Sequence, residues 1–259
     1  MLLNVLKADF NRVFKGWRFP LAVVLMFLVW ELNSKRFVNS QDVLYLFIHV
    51  WGRSITPLMA MIVTSTAYVY SYCEDAENHF LRYCMKRVGM KNYIASKLIA
   101  VFTASFLVAV LGSVLFVVRQ GMELPLIAAE SIAVENFKPE SCFGFLLPEH
   151  GAFYMGIQIF LDGLYCAAMS VLALAISTFV RNSYGVFAIP FLQNYFFLYL
   201  FSRISINYPM LYIEVIYNSA APTYTDNPFF LIAYALFLTF LFIIVSWVVM
   251  LKKIEGDFS

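Results

Sequence analysis

Long apolar segments separated by short polar ones dominate the hydrophobic pattern of this chain of 259 residues. A helix that crosses a membrane needs about 20 mostly apolar residues, and six segments come near that length or exceed it. The pattern predicts an all-α polytopic membrane protein with one transmembrane domain, residues 1–259, and both termini on one side. The predicted spans are residues 19–32, 54–72, 94–118, 153–179, 185–201 and 229–251.

Two of these boundaries stay open. The first span is short, and it could begin within the helix that precedes it. The second could begin as early as Val43, but Arg53 and Pro57 favour a start at the membrane interface.

Composition agrees with this class, because 62% of the residues are hydrophobic and only 13% are charged. Soluble globular chains have about 45–50% apolar and about 25% charged residues. No basic run of the kind that binds nucleic acid occurs, so we expect no nucleic-acid partner.

The distribution of Lys and Arg predicts the orientation. Twelve of the 18 lie in residues 1–18, 73–97, 181 and 252–259, and the other six lie in the intervening segments. Since positive residues concentrate in cytoplasmic loops, we predict a multi-pass protein of a bacterial cell membrane with both termini in the cytoplasm.

Residues 1–18 have the pattern of an amphipathic helix lying in the membrane interface, with Phe10, Phe14 and Trp17 as aromatic anchors in the lipid. The alternative is an ordinary helix packed on a soluble domain, but the chain offers no such domain. Val5 is the one large apolar residue outside the apolar face. That face consists of Leu3, Leu6, Phe10, Val13, Phe14 and Trp17.

A charged stretch, CEDAENHFLRYCMKRVGMKNY at residues 73–93, interrupts the apolar pattern. Its acids come first and its bases last, which suits the dipole of one helix, and Gly89 fits a C-terminal cap. Lys97 can extend its ammonium group toward the cytoplasm. A loop that only satisfies the positive-inside rule would need neither the acids nor the large apolar side chains, so we predict a docking helix.

The arrangement resembles the permease subunit of type-2 ABC exporters, over essentially the whole chain. The residues that carry the resemblance are Glu74 and Glu77, followed by Lys91, Tyr93 and Lys97. That family has an interfacial helix, six spans and a coupling helix between spans two and three, here residues 73–92. Members often carry Gly soon after the acid, whereas this chain has Asn78–His79.

The resemblance implies that the coupling helix docks on a separate pair of ABC ATPase subunits, which hold ATP and Mg²⁺. It also implies a second permease subunit, identical or similar, and a drug, an antimicrobial peptide or a lipid-like molecule as substrate. The predicted docking residues are Glu74, Asp75, Glu77, Asn78, Phe80, Leu81, Arg82 and Met85.

Motifs for chemistry within this chain are absent from the sequence. It has no GxxxxGK[ST] phosphate-binding loop, no HExxH and no GxSxG. We therefore predict no catalytic residue, no metal site and no cofactor in this chain, and ATP hydrolysis on the partner.

Three polar residues inside the predicted spans, Asp162, Gln158 and Gln193, are candidates to line the transport path. Asp162 lies either in the middle of the membrane, where it could pair with Arg53 or Arg203, or at the outer interface.

Two segments are predicted to lie outside, residues 119–151 and 202–228. The second mixes tyrosines with Ile, Val and Pro. It resembles the re-entrant hairpin that the family places before its last span, and it could equally be an interfacial segment anchored by its tyrosines.

Two other functions compete with the exporter permease. An ion-coupled secondary transporter would need several intramembrane ionisable groups, and Asp162 is the one candidate. A non-transporting scaffold or sensor subunit would use the charged stretch to bind something other than an ATPase.

Overall fold

The structure, a computed structural model, describes residues 2–37, 40–128, 131–180, 183–204, 216–218 and 227–258. Of these described residues 84% are helical, and none of them belongs to a β-strand. The helices are α1 (Leu2–Lys15), α2 (Arg18–Ser34), α3 (Val43–Arg53), α4 (Thr56–Ser65), α5 (Ser71–Glu77), α6 (Phe80–Val88), α7 (Met90–Gln120), α8 (Ile132–Glu140), α9 (Leu147–Ser177), α10 (Ser183–Val186), α11 (Ile189–Ile204) and α12 (Pro228–Phe258).

Three stretches of helix are long and apolar enough to cross a membrane singly: Met90–Gln120, Gly144–Ser177 and Pro228–Asp257. Two bent pairs also qualify, α1 with α2 and its 3₁₀ extension at 55°, and α3 with α4 at 81°, which makes up to five candidate spans among the described residues. The prediction of an all-helical chain is confirmed for these residues, and the candidate spans are consistent with a multi-pass membrane protein, whereas six spans stay a prediction.

The prediction of one continuous helix over residues 54–72 is wrong. Helix α4 ends at Ser65, residues 66–70 form turns, and α5 begins at Ser71. Thr64, Ser65 and Thr66 each donate a side-chain hydrogen bond to the carbonyl three residues earlier. Such bonds compete with the backbone pattern of a regular helix, and three in succession coincide with its end.

Helix α9 is the centre of the bundle. In its apolar 18-residue stretch 83% of the residues are buried, against 44% in that of α7 and 22% in that of α12. Small residues allow the close packing. A Cβ atom at Gly163 would lie 2.9 Å from the Phe106 ring of α7. Phe106 and Gly163 each lie within one residue of the middle of a 31-residue helix, so α7 and α9 meet at mid-length.

An aromatic stack joins α2, α3 and α7. The Trp30 ring lies 4.5 Å from Phe47, 5.7 Å from Trp51 and 5.1 Å from Phe116, measured between centroids. Stacked aromatic pairs add to the free energy of simple burial, so this stack fixes the bent α3 against the bundle.

Helix α2 packs on α7 at Gly112, where an added Cβ would lie 2.6 Å from Met26 Cβ and 3.3 Å from the Phe27 nitrogen. We expect Gly112→Ala to push the two helices apart and to lower the free energy of unfolding by about 1–3 kcal/mol. The measurement is the thermal unfolding midpoint in detergent or nanodiscs.

Gly156→Ala is the matched control, since an added Cβ at this position of α9 would meet no described atom within 4 Å beyond its own helix backbone. This substitution should leave the midpoint unchanged or raise it slightly. Equal midpoints for the two variants would contradict the close contact between α2 and α7.

Candidate functional site

The charged stretch is two helices, so the prediction of a single helix is wrong. Helix α5 ends at Glu77 and α6 begins at Phe80. His79 between them has a φ of 56°, in the left-handed region that glycine adopts most readily. This break falls where the resemblance implied Gly. The predicted cap is confirmed at Gly89, which has a φ of 85° and donates its N–H to the Met85 carbonyl.

Helix α1 has three faces rather than the two that its sequence pattern predicts. Leu3 and Phe14 are exposed on the apolar side, and Lys7 is exposed on the polar side. Asp9 and Val13 are buried against the bundle. Val5, at a half-buried position, belongs to this third face, which explains why it falls outside the apolar one.

Three buried charges meet where α1, α5 and α7 converge. Lys97 Nζ lies 3.0 Å from Asp9 Oδ1 and 2.8 Å from Asp75 Oδ2. All three residues are at least 96% buried. The expectation that Lys97 extends into the cytoplasm is wrong: its ammonium group is held inside the protein by two carboxylates.

Hydroxyl groups complete the shell around these carboxylates. Tyr68 donates to Asp9 Oδ1 at 2.6 Å, and Ser96 donates to Asp9 Oδ2. Tyr93 donates to Asp75 Oδ2 at 2.8 Å. Buried ion pairs are tolerated only where the remaining lone pairs are also satisfied, and here the described residues satisfy all four carboxylate oxygens.

Two arginines extend the cluster toward solvent. Arg12 Nη1 donates to Asp75 Oδ1 at 2.8 Å, and Arg18 Nη1 donates to Glu74 Oε1 at 2.8 Å. The Arg18 guanidinium also lies 3.9 Å from the centre of the Tyr70 ring, at the distance of a cation–π contact. The cluster therefore balances three acids with three bases.

Burial by itself would raise the pKa of Asp75, but the neighbouring Lys97 ammonium and Arg12 guanidinium outweigh it and hold this pKa below its ordinary value. The carboxylate thus stays charged at neutral pH.

Burial raises the pKa of the Cys73 thiol to about 11. That thiol contacts the carbonyls of Ser177 and Val180, at 3.5 and 3.2 Å, and so ties α5 to the end of α9.

Helix α6 presents a different surface. Phe80 is 52% exposed and Tyr83 is 72% exposed, and Lys86 and Arg87 are exposed beside them. Phe80, Tyr83 and Arg87 are spaced i, i+3 and i+7, so they share one face. This face is apolar, aromatic and basic, and it is attached through two residues to the anchored α5.

The predicted docking residues thus divide into two groups. Glu77, Asn78 and Phe80 are exposed, whereas four of the others are half-buried or buried. The side chain of Arg82 lies outside the described part of the structure. The half-buried or buried ones are Glu74, Asp75, Leu81 and Met85.

Sequence reasoning left Tyr83 out of the docking residues and missed the partners of the acids. Two features of the sequence could have indicated these partners. An acid, Asp9, lies in an amphipathic helix, and a base, Lys97, lies inside an apolar run.

The polar residues of the spans are enclosed within the chain. Gln158 and Asp162 are each 1% exposed and Gln193 is 6% exposed. Gln158 Nε2 donates to Asp162 Oδ1 at 2.6 Å. Asp162 is the central residue of the 31-residue α9, which favours a position in the middle of the membrane. That these three residues line a path stays a prediction.

Of the two suggested partners of Asp162, the structure describes the side chain of Arg53. Arg53 is exposed and makes no ion pair with Asp162, and the side chain of Arg203 lies outside the described residues. Most of the segment 202–228 also lies outside them.

Among the described residues, no group of His, Cys, Asp or Glu could hold a metal ion.

Comparison with protein-family models, with curated proteins and with solved structures finds no match for this chain.

Lys97→Met should leave Asp9 without its cation and Asp75 with Arg12 alone. Removing one partner of a buried ion pair typically costs about 3–5 kcal/mol, and we expect a loss of this size in the free energy of unfolding. The thermal unfolding midpoint of the purified protein measures it. The control is Lys91→Met, an exposed position on the same helix, which should unfold like the wild type. A wild-type midpoint for Lys97→Met would show that the buried pairs contribute nothing.

Proposed function

We propose that the chain is the permease subunit of an ATP-driven exporter of the ABC type, working with a separate ATPase. The observation that supports this most is the pairing of α6, with its exposed aromatic and basic face, and α5, which buried charges fasten to the bundle. An element that receives a motion from a partner needs both a surface for that partner and a firm attachment to the spans.

The attachment reaches several helices. Asp75 binds Lys97 of α7 and Arg12 of α1, and Cys73 contacts the end of α9. A partner that binds ATP and moves α6 would therefore displace α5, and α5 would displace α7 and α9 together. The ATPase would hold the ATP and Mg²⁺, and this chain would supply no catalytic residue.

Six spans fit this proposal: α2, the bent pair α3–α4, α7, α9, α11 and α12. Helix α1 would lie in the cytoplasmic membrane interface with Phe10, Phe14 and Trp17 toward lipid. The ends of the chain would then face the cytoplasm together with α5 and α6. A second copy of the chain, or a similar one, would complete the transport path for an amphipathic or lipid-like substrate.

An ion-coupled transporter is the second candidate, because Asp162 is a buried acid at the centre of α9 and its Oδ2 atom has no hydrogen-bond partner among the described residues. Buried acids at this depth commonly mark ion pathways. This candidate predicts transport without any ATPase.

Replacing Phe80 and Tyr83 by Ala should remove the exposed aromatic surface of α6 without disturbing the buried charges. Two aromatic contacts at an interface are worth at least about 1 kcal/mol each, so we expect at least about a tenfold loss of bound ATPase. The measurement is co-purification from native membranes, with the phosphate-binding loop of the partner identified by mass spectrometry and its ATP hydrolysis assayed.

Phe145→Ala is the matched control, since Phe145 is 64% exposed and distant in sequence from α6. It should retain the full amount of ATPase. The proposal is wrong if no protein with a phosphate-binding loop co-purifies with the wild type, or if the double variant keeps as much of it as the control does.

A further inference from the structure

A cleft of about 470 Å³ opens at the start of α9, at the opposite end of that helix from the contact with Cys73. This volume lies within the range of small-molecule sites. Its lining combines apolar side chains with one carboxylate and one imidazole. The lining residues are Leu126, Ile127, Glu149, His150, Gly151, Ala152 and Phe153.

One wall of the cleft is held by α3. The Val43 and Leu44 nitrogens donate to the carbonyls of Pro125 and Leu126, at 3.1 and 3.2 Å. Asp42 Oδ2 accepts from the Ala128 nitrogen at 3.2 Å. These three hydrogen bonds therefore hold the segment that carries Leu126 and Ile127 against the start of α3.

The other wall is made by a break in α9. His150 has φ and ψ of −132° and 41°, which are not helical, so the first turn of α9 leaves the axis of the rest. Gly151 allows this wall to touch the first one, since a Cβ there would lie 1.8 Å from Ile127 Cδ1. The cleft is thus shaped by backbone on both sides.

The chemistry of the lining is amphiphilic. Phe153 is 65% exposed and Leu126 is 38% exposed, so apolar surface faces outward. The Glu149 carboxylate is exposed beside it and makes no ion pair with any described residue. An apolar surface with one uncompensated carboxylate favours a ligand that has an apolar body and a positive charge.

The sequence around the cleft carries a net negative charge, like Glu149 itself. Residues 119–151 contain five glutamates against one arginine and one lysine. The arginine, Arg119, is already paired with Glu123 at 2.6 Å. A negative surrounding field raises the local concentration of cations and excludes anions.

We propose that this cleft binds an amphiphilic cation, with the positive group beside Glu149 and the apolar part against Leu126, Ile127 and Phe153. The site lies apart from the α5–α6 helices and does not depend on an ATPase, so it stands or falls separately from the proposed function. Such ligands collect at membrane interfaces, where the end of a spanning helix meets the lipid headgroups.

The test uses two probes of nearly identical shape and opposite charge, tetraphenylphosphonium and tetraphenylborate. Full-length protein in nanodiscs of zwitterionic lipid is titrated calorimetrically against empty nanodiscs, at about pH 8, where histidine side chains are ordinarily neutral. We expect saturable binding of the phosphonium and none of the borate. Glu149→Gln should weaken phosphonium binding about two- to fivefold, as for an exposed ion pair.

Two further variants separate the cleft from a general charge effect. Glu135→Gln removes an exposed acid on α8 outside the cleft and should weaken binding less than Glu149→Gln does. Ala152→Trp fills the cleft without changing charge and should abolish saturable binding. The proposal is overturned if both probes bind alike, if the two glutamate variants weaken binding equally, or if Ala152→Trp binds like the wild type.

Discussion

The ammonium group of Lys97, held between the carboxylates of Asp9 and Asp75, is the constraint on which the charged end of the bundle depends. A buried charge is very costly unless it is paired, so none of the three residues can leave the cluster alone. Because each belongs to a different helix, their pairing fixes the positions of α1, α5 and α7 together. The exposed part of the cluster, Arg18 with Glu74, adds a weaker contact at its edge.

The sequence was sufficient to predict the helices that depend only on the length of an apolar run. The runs that became α7, α9 and α12 are long enough to cross a membrane, and a helix satisfies the backbone hydrogen bonds of such a run within the run itself. The break at His79 was not predictable in the same way, since acids followed by bases suit one helix as well as two. The end of α4 was not predictable either, because the apolar run continues past Ser65. Three side-chain hydroxyls near that residue donate hydrogen bonds to backbone carbonyls where the helix ends.

The charged stretch stands out in the sequence, but its division into a buried part and an exposed part does not. Acids at the start of a helix satisfy its dipole whether they face a partner or the protein's own spans. Only the fold brings Asp9, 88 residues from Lys97 in the chain, within hydrogen-bonding distance. Glu74 and Asp75 of α5 consequently pair with bases of the same chain, whereas Glu77 and the aromatic and basic side chains of α6 are exposed.

The two residues between α5 and α6 separate the part of this region that must stay constant from the part that can vary. The buried charges tolerate almost no substitution, because each change leaves an opposite charge unpaired. The exposed side chains of α6 form no buried ion pair, and the left-handed backbone of His79 turns the chain between α5 and this helix. Exposed side chains of α6 could therefore change in evolution without loss of the fold, while the attachment of α5 to α1 and α7 remained the same.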